Sequence, residues 1–137
     1  MKLNESLENS LDFRLNKDNY ENTSYIFDLK ESFGLDLYIE VFFKFLTFGT
    51  YGVDFYTYGE NKDLSFEKRA SFAIFSTIVQ ILNDFVKNKS VTNLQANGDS
   101  KTKSDIYEKL FQRFAEGWAV KRQGNILSAA KTGKNET

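Results

Sequence analysis

The residue types that could do chemistry in this chain are few, and the missing ones decide more than those present. There is no histidine and no cysteine. Imidazole acid–base catalysis, a serine triad of the usual kind, thiol chemistry and every metal set built on His or Cys are therefore closed to it. What remains is one loop and a set of carboxylates. The loop, Asn97-Gly98-Asp99-Ser100-Lys101-Thr102-Lys103, runs directly into an amphipathic segment. A helix N-terminus beside Lys101 and Lys103 offers N–H groups and two ammonium groups to an anion, and with Arg113 further along the helix these make a candidate set for binding an anion or nucleic acid. A nucleotide-type phosphate loop needs converging glycines before its lysine, and Gly98 stands alone here. The plainer reading is a turn at Asn97-Gly98 and a capping box, Thr102 with Asp105 three residues on. Ser100 and Thr102 have no imidazole to activate them as nucleophiles.

The carboxylates are Asp12, Asp28, Asp36, Glu40 and Asp54, all in segments that alternate apolar and polar residues. Parity places them on one face of a sheet, where two or three could hold Mg²⁺ for a hydrolase. Acids on a wet strand face are also what solubility requires. The same face receives Ile26, Tyr38, Phe42, Tyr56 and Tyr58. Rings on an open sheet can stack unpaired bases. Arg14 and Lys44 are the bases expected there, too few against the acids to draw a phosphate backbone. A mixed aromatic and charged patch suits a protein partner or a second copy of the chain, unless the chain's own ends cover it. No residue set nominates a catalytic group, a cofactor site or a dedicated metal site, and the balance is against an enzyme.

These residues need elements to hold them. Period-two alternation predicts strands near 11–15, 24–29, 36–47 and from Val53 to about Tyr58, with turns at 16–19 and 31–34 and a glycine loop at 48–52. In the long third strand Leu37, Ile39, Val41, Phe43 and Phe45 share the inner face. The short connections favour an antiparallel meander. Asp63 or Ser65 can cap a helix over 65–88, with Glu67 near its positive end. Its apolar arc, with Ile74, Ile78, Ile81 and Phe85 beside Phe75, Val79, Leu82 and Val86, is wider than a surface helix needs. A short strand follows over 91–95. Ile106, Tyr107, Leu110, Phe111, Phe114, Ala115 and Trp118 form the stripe of a second helix over 104–118. Residues 119–127 can pair as an edge strand. Residues 1–10 and 128–137 read as loose tails.

The 137 residues suit one domain with a real core, and fourteen Phe with seven Tyr argue for a packed globule. The net charge of −1 gives no global pull toward nucleic acid or an acidic membrane. No apolar run is long enough for a membrane span, and the polar N-terminus does not read as a signal peptide. The lack of cysteine fits a reducing compartment, so the expected location is the cytoplasm.

The stretch SFAIFSTIVQILNDFVKN, followed by VTNLQANGDSKTKSDIYEKLFQRFA, resembles a group of small α+β proteins encoded in tailed-phage and bacterial genomes. Phe75, Thr77, Ile78, Ile81 and Phe85 carry the first part of the likeness, and Tyr107, Leu110 and Arg113 the second. Lys103 stands where that group often has Arg, which removes the two-pronged grip of a guanidinium. The resemblance covers roughly residues 25–118. It implies a strand-rich N-terminal half followed by helix, strand and helix, and a phage origin would put the protein in the host cell cytoplasm. It brings no activity. The combined expectation is one α+β domain, an antiparallel sheet of about four to five strands with two helices on one face.

Overall fold

A computed structural model describes residues 10–61, 68–114 and 117–132. The expected cap at Asp63 or Ser65, Glu67, Ala115 and the outermost residues of both tails lie outside the described residues. The elements, in chain order, are β1 (Arg14–Asp18), β2 (Asn22–Asp28), α1 (Lys30–Phe33), β3 (Tyr38–Thr47), β4 (Thr50–Tyr58), α2 (Lys68–Lys89), β5 (Asn93–Asn97), α3 (Lys101–Phe114), β6 (Trp118–Gln123) and β7 (Ile126–Lys131). The class is α+β, as expected, but among the described residues the sheet has seven strands, in the order β1-β2-β3-β4-β5-β7-β6.

The sheet is also mixed, because β4 and β5 run parallel. Helix length explains why. The 22 residues of α2 span roughly 33 Å at 1.5 Å per residue. The nine residues of β4 cover about 30 Å. A helix of that length carries the chain back to where β4 began, so β5 starts at the same end. The rule that short connections make antiparallel neighbours does not reach a connection that contains a helix. By the same route α3 sets β6 parallel to β5, one strand-width away, and the β6–β7 hairpin fills the gap. Its two-residue turn has Gly124 at the first position with φ +63°, as type II′ hairpins do.

The single edge strand and loose tail expected after residue 118 are thus corrected. Residues 128–131 form part of β7, where Ala129 is fully buried beside Leu127. The helical stripe stops at Phe114, and Trp118 opens β6 instead. β1 begins at Arg14 rather than at 11. Leu11 lies over α2, where its N–H donates to Thr77 Oγ1 at 2.7 Å. A bulge between Leu15 and Lys17 then changes the parity of the strand: Leu15 faces Tyr25, while Lys17 faces Ser24. The turn expected at 31–34 is the short helix α1, closed by Gly34 at φ +68°.

Odd-numbered residues of β2, β3 and β4 enter the core, and α2 lies on them. Phe85 of α2 stacks on Phe43 with ring centroids 3.8 Å apart, and Tyr51 meets Phe85 edge-on. Ile74, Ile78, Ile81 and Leu82 complete that layer. α3 brings Tyr107, Leu110, Phe111 and Phe114 to the same side and packs across β6 and β7. Both long helices therefore cover one face of the sheet, and among the described residues no helix lies on the other, the open face. No helix among the described residues is long and apolar enough to cross a membrane.

Candidate functional site

The open face is a ladder of even-numbered residues. Across β3 and β4, Tyr38 pairs with Tyr58, Glu40 with Tyr56, Phe42 with Asp54 and Lys44 with Gly52. Tyr38 and Tyr58 stack with centroids 5.0 Å apart, and Phe42 meets Tyr56 edge-on at 5.5 Å. Tyr38 is 39% exposed and Tyr56 46% exposed, while Phe42 and Tyr58 are half-buried. The four aromatic residues singled out from the sequence therefore lie side by side. Beyond them a groove of about 440 Å³ opens over Gly52, walled by Phe42, Leu46, Tyr56 and Ile126 with Lys44 and Gln95 at its sides. Leu46, Ile126 and the glycine floor are absent from the sequence reading. Gly52 was expected in a loop, and β4 in fact begins two residues earlier, at Thr50.

The acids behave differently from the expected wet row. Glu40 is buried, although it points to the open side. Its Oε2 accepts from Ser24 Oγ and Asn16 Nδ2, each at 2.7 Å, and its Oε1 from the Tyr58 hydroxyl at 3.3 Å. Burial and the Glu40 charge together raise the Tyr58 phenol above its ordinary value. Asp28 and Asp36 accept backbone N–H groups of Lys30 and Glu60. Asp12 precedes β1. Among the described residues no three acidic side chains converge on one point where a cation would sit.

Asp54 occupies the split between β4 and β5. The two strands pair only as far as Val53 and Ala96, so β5 offers no carbonyl to the Phe55 N–H. Asp54 turns back and accepts that N–H on Oδ1 at 2.8 Å. The start of α3 fills the split. Tyr107 donates its hydroxyl to the same oxygen at 2.8 Å and Lys103 its ammonium at 3.0 Å, while Tyr56 donates to Oδ2 at 3.0 Å. Lys103 Nζ also lies 5.3 Å from the centroid of Phe55. Burial pushes the Asp54 carboxyl up, but the Tyr107, Lys103 and Tyr56 donors outweigh it and the net direction is down. Burial and the Asp54 charge push the Tyr107 phenol far above its ordinary value. Neither group is tuned toward neutral pH, where proton transfer would need it.

The loop of 97–103 is a packed joint. Gly98 N–H donates to the Asn125 carbonyl at 2.8 Å, Asp99 N–H to Asn97 Oδ1, and Lys103 N–H to Ser100 Oγ. Ser100 is therefore the cap, two residues before the expected Thr102, and α3 starts at Lys101. Ser104 Oγ donates to the Ser100 carbonyl at 2.7 Å. Glycine is required at 98, because a Cβ there would lie 2.5 Å from the Ser104 nitrogen. Of the expected anion set, Lys101 pairs with Asp105 at 3.1 Å and Lys103 with Asp54. Arg113 sits over the Phe75 ring, about 15 Å along the helix from Lys103 at 1.5 Å per residue. The fold does not bring these three cations together.

Charge on the open face also departs from the expectation. The β1 bulge adds Lys17, whose Nζ lies 5.8 Å from the Phe42 centroid. β6 adds Lys121, opposite Ser128. Asp54 is compensated by Lys103, and Glu40 is enclosed by its donors. No protein-family model matches this chain, and no curated protein is similar to it.

Proposed function

We propose that this chain is a non-enzymatic accessory protein that binds another protein, or a second copy of itself, through the aromatic outer face of its sheet. A phage origin and a place in the host cytoplasm belong to the same reading and rest on the sequence resemblance of α2 and α3. The observation that carries the proposal is the exposure of Leu46, Tyr56 and Ile126 around one groove, with Tyr38 exposed further along the same face, which no helix among the described residues covers. Anion binding at the 97–103 loop has less support, since Lys101, Lys103 and the N–H groups of Gly98, Asp99 and Lys103 already have partners within the chain.

Sedimentation velocity tests the proposal. The wild type should form a faster species, alone or with a partner retrieved by crosslinking at position 38. Tyr38→Ser with Leu46→Ser, two exposed side chains outside the hydrogen-bond clusters, should return it to the monomer with little change in melting temperature. Association that persists in the double variant would refute the reading. Tyr56 and Tyr58 are kept intact, because their hydroxyls donate to Asp54 and Glu40.

A further inference from the structure

Among the described residues nothing calls for glycine at position 52. Gly52 is the third residue of β4, inside the strand, where glycine is weakening. Its backbone is not in the left-handed region, and an added Cβ would meet only the Leu46 side chain, at 3.7–3.9 Å, which is ordinary contact. Gly98 is different, since the backbone of α3 would collide with any side chain there. What the missing side chain at 52 creates is the floor of the open-face groove. The β3 bulge between Phe45 and Thr47 lies opposite Thr50 and Tyr51, and Gly52 itself pairs regularly with Lys44; glycine at a regularly paired strand position is one of the signs of close approach by a ligand or another backbone.

We infer that the groove over Gly52 takes an extended acidic segment of a partner protein, with one large apolar side chain above Gly52 and a carboxylate two positions away on Lys44. The inference rests on the open face being a protein interface and names the chemistry of the partner. Phe42, Leu46, Tyr56 and Ile126 make an apolar seat around the glycine. Asn22, Gln95 and Asn97 line the same groove. Carboxamides both donate and accept, as peptide groups do. Among the described residues Lys44 has no carboxylate within ion-pairing distance. The one acid in the lining, Asp54, is held by Lys103. The unmatched charge of the groove is therefore positive, and Arg14, Lys17 and Lys121 extend it along the face. Lys44 sits directly across from Gly52 in register. In an extended segment, residues two apart point the same way about 6.6 Å apart, so an apolar side chain and a carboxylate at that spacing reach both.

A random peptide display library panned on the wild-type chain and compared with Gly52→Val reads the groove directly. Valine favours strands and its Cβ has room, so the variant should melt no lower than the wild type. If it does melt lower, Lys44→Glu alone decides. The expected peptides carry Leu, Phe or Trp with Asp or Glu two positions away. Gly52→Val should weaken their synthetic versions at least about tenfold in fluorescence anisotropy, and Lys44→Glu several-fold. Enrichment of basic peptides, no enrichment at all, or equal binding to Gly52→Val overturns the inference. So does a fluorescein-labelled oligothymidylate that binds the wild type and not Gly52→Val. Peptides lost with Tyr38→Ser but kept by Gly52→Val would leave the open face as an interface and remove only the groove assignment. Peptides indifferent to both variants would remove both.

Discussion

Asp54 accepts donors from four residues and gives the best test of single-residue energetics in this fold. Tyr107→Phe keeps the ring in the core and removes one hydroxyl. The expected loss is about 1.5 kcal/mol in urea unfolding, the low end for a bond to a charged acceptor, because the carboxylate keeps three donors and some solvent. The same variant should raise the Asp54 carboxyl in an NMR titration. The folded-state value of Asp54 lies below its ordinary 3.8. Its contribution to stability is therefore fully present above that ordinary value and is lost as pH falls through the lower folded one. Tyr107→Phe should flatten that acid limb. An unchanged limb would mean that Lys103 and Tyr56 set the shift without Tyr107. Tyr25, pushed up to about 12 by burial and by Asp84, and Tyr107 act at the other end of the scale. Their contribution holds below about 10 and fades as pH rises beyond it.

At the scale of elements, β7 shows how a central strand can hide. Its residues, Ile126-Leu127-Ser128-Ala129-Ala130-Lys131, alternate in burial but hardly in hydropathy. Alanine and serine give a weak periodic signal, yet small side chains are what a strand needs where a helix crosses closely above it. Ala129→Glu should therefore place an unpaired carboxylate beneath α3 and cost about 4 kcal/mol or more, enough to abolish the cooperative melt followed by circular dichroism. Ser128→Lys, one residue earlier and on the open side, should shift stability by less than about 1 kcal/mol. Equal effects at the two positions would contradict the register of β7. β3 is the opposite case. Its alternation of large apolar residues with polar and aromatic ones was legible without any structure, and the burial of Ile39, Val41 and Phe43 follows it.

For the molecule as a whole, the sheet ends in β1 and β6, and both edges carry charge. Arg14 and Lys17 lie on β1, Lys121 and Arg122 on β6. Charged edges discourage strand-to-strand pairing between copies, so the association proposed above would bring open faces together rather than edges. All five residues of β1 are exposed. In native-state hydrogen exchange the β1 amides should be replaced well before those of β3, β4 and β5, with the β4–α2–β5 crossover slowest. Uniform protection across the strands would mean that β1 is anchored by more than its pairing with β2.

Local signals in the sequence determined the class, the two long helices, the core face of the middle strands, and the absence of imidazole and thiol chemistry. Each of these depends on residue type and on periods of two or 3.6, which are properties of neighbours along the chain. Tertiary structure alone decided the seven-strand order, the parallel β4–β5 pair, the union of Asp54 with Lys103 and Tyr107, and the depth of the groove over Gly52. Those depend on contacts between residues some fifty positions apart, on how far a helix carries the chain, and on one bulge that moved Lys17 to the open side. Local periodicity records none of them, because it shows which way a side chain faces and not what it meets there.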